Sequence, residues 1–286
     1  MKVLISPNFD KPGGAKCAHQ VTQKLLELGL TPMLDKECAA IMGAAQPGCV
    51  VAGFDALLSE CDIILTIGGD GTILHGVQQS LRVGKPLLGV NTGRVGFLTQ
   101  LEAHELDKLD ALQNQNYTML DRMMLEATLV VDGREQTYTA LNEVVLSRGQ
   151  SERLVEIAVT CDGSPVVSHR ADGLIFATPT GSTAYNLSAG GPVVDPKLSL
   201  IIMTAICPHP QFHHTMILPP TNLYEVREVP GENKNGLILS VDGSRVGVLR
   251  QGGRLLVRRS AVCAPFIDLG LRDFYQCVDI KLKTGK

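Results

Sequence analysis

Gly68-Gly69-Asp70-Gly71-Thr72 sets one carboxylate inside a cluster of glycines, directly after the apolar run Asp62-Ile63-Ile64-Leu65-Thr66-Ile67. A short aliphatic and β-branched run ending in glycines reads as a buried strand that delivers a tight turn. Glycines there let backbone N–H groups come close to a phosphate, because no Cβ stands in the way. A carboxylate beside phosphates is repelled unless it holds a metal ion or faces a hydroxyl. Both roles belong to phosphoryl transfer, in which a carboxylate orients and deprotonates the attacking hydroxyl. The same five residues also fit a plain strand–turn–helix corner with an aspartate as helix cap.

A second constellation occupies residues 172–192, Asp-Gly-Leu-Ile-Phe-Ala-Thr-Pro-Thr-Gly-Ser-Thr-Ala-Tyr-Asn-Leu-Ser-Ala-Gly-Gly-Pro. Here a strand is expected to run into a loop crowded with hydroxyls and glycines, then into a short helical start. Hydroxyls and free N–H groups at a helix N-terminus suit ribose hydroxyls and anionic groups. Tyr185 offers a face for stacking on a planar base. A Ser/Thr-capped turn explains one or two of these hydroxyls but not the whole set.

The elements that must position these groups change character along the chain. Residues 3–6 read as a strand and 15–28 as a helix with an apolar side of Val21, Leu25, Leu26 and Leu28. The strand around Leu65 is followed by a helix over residues 72–81, a buried strand at 87–90 and a polar surface helix at 104–113. This alternation implies a mostly parallel sheet covered by helices. Ligands of such sheets sit outside the carboxyl ends of the strands, where Asp70 and Asn91 both fall. From about Met123 the texture becomes β-rich, and Asp132-Gly133, Asp162-Gly163 and Asp242-Gly243 each stand between extended runs. Asp-Gly in that setting is a strong hairpin signal. The expected architecture is an α/β domain over residues 1–121, joined again by 262–286, and a β-rich, sandwich-like domain over 122–261.

Composition narrows the class. At 286 residues the chain has room for two domains, and 44% hydrophobic with 19% charged residues describes an ordinary globular protein. A net charge of −3 without a dense Lys/Arg block speaks against nucleic acid as a partner. The first residues lack the pattern of a signal peptide, and the longest apolar run, residues 198–207, is too short to span a bilayer as a helix. A cytoplasmic protein without membrane partners is expected. Eight scattered cysteines, with no Cys-x-x-Cys pair, read as reduced and mostly core thiols.

Four motifs in order resemble the NAD kinase family: GGDGT, then VNTGRVGFLT (residues 90–99), LNEVVLS (141–147) and DGLIFATPTGSTAYNLSAGGP. GGDGT alone is shared with lipid kinases of the diacylglycerol type; the ordered set is far more specific. The resemblance implies an ATP- or polyphosphate-dependent kinase of NAD, with Mg²⁺ or another divalent cation and NAD bound between the domains. Asp70 matches the catalytic aspartate that activates the adenosine-ribose 2′-hydroxyl, with Gly71 beside it. Phe97 falls in the segment that approaches the adenine. Asn142 and Glu143 match an Asn-acid pair that contacts substrate; a structural pair on a strand is the other reading. Arg170 and Asp172 match positions flanking the site. Thr183, Ala184, Tyr185, Asn186, Leu187 and Ser188 match the main NAD-binding loop, and Ser244 stands where many members carry glutamine. His75 and Arg153 sit near positions that the family uses less uniformly. A homodimer or homotetramer is also implied. The alternatives are a lipid kinase and a non-catalytic NAD(H)-binding regulator.

One stretch departs from the family's pattern. Pro210-Gln211-Phe212-His213-His214-Thr215 carries His214 and Thr215 where Arg and Pro are usual. Cys207, His209, His213 and His214 also have the chemistry of zinc ligands, but their spacing matches no standard finger and two prolines extend the backbone. The stretch is therefore expected to be a pocket loop without metal.

Overall fold

The computed structural model describes residues 1–43, 47–93, 96–151, 153–209, 214–231 and 235–284. The chain divides into two compact units, Met1–Asp121 with Ala264–Lys286, and Arg122–Cys263.

In the first unit the strands Leu87–Asn91, Ile63–Gly68, Lys2–Pro7, Thr31–Asp35 and Val50–Ala52 lie side by side in that order, all parallel. Every residue of Ile63–Gly68 and of Leu87–Asn91 is buried. That explains their largely apolar sequence, since parallel strands are covered on both faces. The helix Gly14–Glu27 packs Cys17, Ala18, Val21 and Leu25 onto Val3, Ile5, Leu65 and Ile67. Asp70–Val83 lies on the opposite face, flush with the sheet because Gly76 has no side chain. A Cβ there would stand 2.6 Å from Thr66 Cγ2. Strand order reverses at Lys2–Pro7, whose neighbours are Thr31–Asp35 on one side and Ile63–Gly68 on the other. Such a reversal opens a crevice at the carboxyl ends of the two flanking strands. The turns after Lys2–Pro7 and Ile63–Gly68 meet there: Asn8 N donates to Ile67 O at 2.8 Å, and its side-chain amide to the Thr72 hydroxyl at 3.3 Å.

The surface helix expected at residues 104–113 takes a different form. Leu106–Leu109 is a 3₁₀ turn and Asp110–Gln113 a short α-helical turn, with Leu109 and Leu112 fully buried. The cause is Glu105. Its carboxylate accepts the N–H of Glu102 at 2.8 Å and pairs with Arg272 at 3.0 Å, holding residues 102–105 as a turn so that helix begins only afterwards.

The second unit is a β-sandwich. Met216–Leu218, Ile201–Ile206, Gly173–Ala177, Glu143–Ser147, Leu237–Val241 and Ser244–Leu249 form one sheet, antiparallel throughout. Leu146, Leu174, Phe176 and Met203 from this sheet share a core with Leu125, Ile157, Val226 and Leu255 from the other. The three Asp-Gly pairs are the hairpin turns, with φ of +52°/+72°, +49°/+84° and +46°/+80°. Both central residues are left-handed, which is the type I′ geometry that matches strand twist. Residues 198–207 supply the buried strand Ile201–Ile206, and among the described residues no helix is long and apolar enough to cross a membrane. All eight cysteines are free thiols. Burial pushes Cys17 up to about 11 and Cys38 to about 12, which leaves both unreactive.

Candidate active site

Asp70 is the first residue of the helix Asp70–Val83, with Gly69 as its extended N-cap. The expected helix thus begins two residues earlier than its apolar pattern suggests, and the carboxylate sits in the first turn, where the helix dipole favours an anion. Its two oxygens each accept a backbone N–H, from Phe97 at 3.1 Å and from Leu98 at 3.2 Å. These two amides fix the direction in which the carboxylate points. Gly96 makes the approach possible, because a Cβ there would overlap Asp70 Oδ1. The glycines of the turn divide their tasks. Gly68 is filled by the Thr72 side chain, whereas nothing lies within 4 Å of an added Cβ at Gly69 or Gly71. The backbone at those two positions is open to a ligand. His75, one turn on from Gly71, is exposed.

The second unit gathers another set. The 3₁₀ turn Thr180–Thr183 leads into the short helix Tyr185–Ser188. Gly181 packs directly on the backbone of Asn142, and a Cβ there would overlap Asn142 O. Thr178 ties the same segments, its hydroxyl donating to Leu141 O at 2.6 Å and its N–H to Asn142 O at 2.9 Å. The loop is therefore welded to the start of Glu143–Ser147, which sets the Tyr185 amide near enough to the Glu143 carboxylate to favour its charged form. Tyr185 itself is 44% exposed, a ring presented rather than buried.

Several hydroxyls and amides of this loop have internal work. Ser182 is fully buried and exchanges hydrogen bonds with both N–H and C=O of Val194. The Thr183 hydroxyl donates to Thr180 O at 3.3 Å. Asn186 is fully buried, its amide donating to Ser182 O and Pro192 O while its oxygen accepts from the Thr204 hydroxyl at 2.7 Å. These side chains shape the loop. Leu187 and Ser188 are exposed, Ala184 is half-buried, and Ser244 is exposed at the start of its strand.

Glu143 is the electrostatic centre of the second unit. Only 6% exposed, it has its pKa pushed up to about 7, chiefly by burial and then by the neighbouring Asp242 charge, with the Tyr185 amide opposing. Its Oε2 has no hydrogen-bond partner among the described residues. A buried carboxyl oxygen without a partner is costly unless a ligand supplies one.

The remaining candidates lie apart from this cluster. Arg153 and Arg170 line an open hollow of about 720 Å³ with Glu156 and Glu228; Asn142, Glu143 and Tyr185 are not among its walls. Asp172 pairs with Arg148 Nε at 2.5 Å. His214 is exposed, while residues 210–213, with His213, lie outside the described residues, as do Arg94 and Val95 of the second motif. Among the described residues no group of three or more His, Cys, Asp or Glu side chains is placed to hold a metal. Sequence reasoning missed Asn8, Gly96 and Thr178, and saw Asp242 only as a turn residue. Asn8 was open to discovery, since it follows the first strand of a doubly wound sheet.

Two family models match the sequence, the ATP-NAD kinase N-terminal domain over residues 3–117 and the ATP-NAD kinase C-terminal domain over residues 141–269. The NAD kinase of Desulforamulus reducens is 36% identical over 278 residues, which is 96% of this chain and 95% of that protein. The chain belongs to the NAD kinase family. Another NAD kinase, from Symbiobacterium thermophilum, is 37% identical over 283 residues, 98% of each chain. Among solved structures, yeast NADH kinase complexed with NADH has a TM-score of 0.88 at 26% identity, covering 99% of this chain and 87% of that one. An NAD kinase from Archaeoglobus fulgidus in complex with ATP has a TM-score of 0.74 at 25% identity, covering 99% of each. Membership of the NAD kinase family makes the chain a phosphotransferase, and favours neither the lipid-kinase nor the non-catalytic alternative.

Proposed function

We propose that this chain transfers a phosphoryl group to the adenosine-ribose 2′-hydroxyl of NAD, giving NADP, with Asp70 as the general base. The observation that carries this reading is the Asp70 carboxylate held by two backbone N–H groups above an open glycine turn. In the proposed step Asp70 accepts the proton of the 2′-hydroxyl as that oxygen bonds to the terminal phosphorus of the donor. The bond to the leaving phosphate breaks and its electron pair departs with ADP, or with the shortened chain when the donor is polyphosphate. The open backbone of Gly69 and Gly71, at a helix N-terminus, suits the donor's phosphates. Among the described residues no closed ligand cage stands at the turn, so a Mg²⁺ would have to arrive with the donor, where it would neutralise charge on the phosphates beside Asp70.

On the same reading NAD is recognised by Asn142, Glu143 and the loop around Tyr185. The unpartnered Glu143 Oε2 and the presented Tyr185 ring match a hydroxyl donor and a planar base. Gly71, Phe97, Thr183, Ala184, Leu187, Ser188 and Ser244 complete the contact set, Thr183 and Ala184 through their backbone. Asn186 shapes the loop. His75, Arg153, Arg170 and Asp172 are assigned to the rim of the bound nucleotide. Eight free thiols suit the reducing cytoplasm, and a homodimer or homotetramer is the proposed assembly. Incubation of the purified protein with NAD, ATP and Mg²⁺ should yield NADP, read by a NADP-specific dehydrogenase. Absence of NADP with both ATP and polyphosphate as donors would overturn the assignment.

A further inference from the structure

Asp242 does more than turn a hairpin. At φ +46° it is the first central residue of the type I′ turn between Leu237–Val241 and Ser244–Leu249. That conformation needs only a residue tolerant of positive φ. Among the described residues the corresponding Asp162 accepts a single backbone N–H, from Leu223 at 3.0 Å. Asp242 accepts three. Its Oδ2 takes the N–H of Leu141 at 2.8 Å, and its Oδ1 takes those of Asn142 at 2.7 Å and Glu143 at 3.1 Å. Its own N–H returns a bond to Glu143 O at 3.0 Å. With Thr178 bonded to Leu141 O and Asn142 O, the backbone from Leu141 to Glu143 is held from both directions.

We infer that Asp242 is a positioning residue, which fixes the Leu141–Glu143 backbone and thereby aims Asn142 and Glu143 at the nucleotide. The inference rests on the proposed reading that this pair contacts NAD. Three amides on one carboxylate form a charge-assisted clamp stronger than ordinary neutral hydrogen bonds. Neither asparagine nor alanine can reproduce it. An asparagine at this position would keep one carbonyl oxygen for two of the amides and turn an NH₂ toward the third.

The test uses the full-length Asp242→Asn and Asp242→Ala variants with two readouts. Amide hydrogen exchange at Leu141, Asn142 and Glu143 should accelerate at least tenfold in Asp242→Ala and by less in Asp242→Asn. In steady-state kinetics the KM for NAD should rise about tenfold or more in the same order, while kcat stays within about threefold. If Asp242→Ala does not fold, Asp242→Asn carries both measurements. Unchanged exchange, or a fall in kcat with KM for NAD unmoved, would overturn the inference. Accelerated exchange with unchanged NAD affinity would overturn it too. In that case Glu143→Gln identifies which idea failed: weakened NAD binding in that variant spares the functional reading, and unchanged binding removes the nucleotide contact itself.

Discussion

Asp70 accepts the backbone N–H of Phe97 at 3.1 Å, and Gly96 next to it has no side chain to prevent this. The carboxylate is thus oriented by the segment 96–98 as much as by its own helix. Orientation matters because a base misplaced by an ångström loses much of its effect.

Asp70→Asn keeps size and polarity but removes the base. NAD binding should stay nearly intact while kcat falls by about 10² to 10⁴, the usual range for a positioned general base. Wild-type turnover in this variant would remove Asp70 from the chemistry.

Two glycine substitutions should separate activity from stability. At Gly96 an added methyl overlaps Asp70 Oδ1 and meets Thr99 Oγ1 at 2.8 Å, both ends of side chains that can rotate away. Gly96→Ala should cost at most about 1–2 kcal/mol of stability but reduce kcat at least about tenfold by displacing Asp70. At Gly181 the methyl overlaps Asn142 O and meets Asn142 C at 2.5 Å, which are backbone atoms. Gly181→Ala should therefore destabilise by about 3 kcal/mol or more. Urea denaturation alongside turnover measures both, and equal stability losses would contradict the distinction.

Tyr185→Ala removes a ring that is 44% exposed, so folding should hardly change. NAD affinity should drop by roughly 1–3 kcal/mol, the range known for aromatic stacking on nucleic-acid bases. Calorimetric titration decides; an unaltered dissociation constant would place the ring outside the base's reach.

Glu143 makes stability depend on pH. Its carboxyl is raised from 4.5 to about 7 in the folded protein. Between those values the folded state binds more protons than the unfolded chain, so stability falls as pH rises through that window. Glu143→Gln cannot titrate and should abolish this slope, gaining up to about 3 kcal/mol relative to wild type at pH 8 compared with pH 5. Denaturation curves at pH 5, 6.5 and 8 test it; parallel profiles for the two proteins would refute the raised carboxyl.

The sequence alone determined the elements whose cause is local. Alternating buried strands and amphipathic helices marked the α/β part, because a largely apolar run such as Ile63–Gly68 has to be covered on both faces. Asp-Gly pairs located three hairpins, since type I′ turns require residues that accept positive φ. The glycine turn announced Asp70 by composition. Tertiary structure decided what each side chain in the motifs does. Asn186 and Ser182 stand in the same hydroxyl-rich loop as Tyr185, yet they are buried and bonded to Thr204, Pro192 and Val194 while the ring is presented. Asp242 lies about a hundred residues from the amides it holds. No periodicity or spacing encodes that partnership, because a hydrogen bond between distant segments exists only once two strands of one sheet have brought them together.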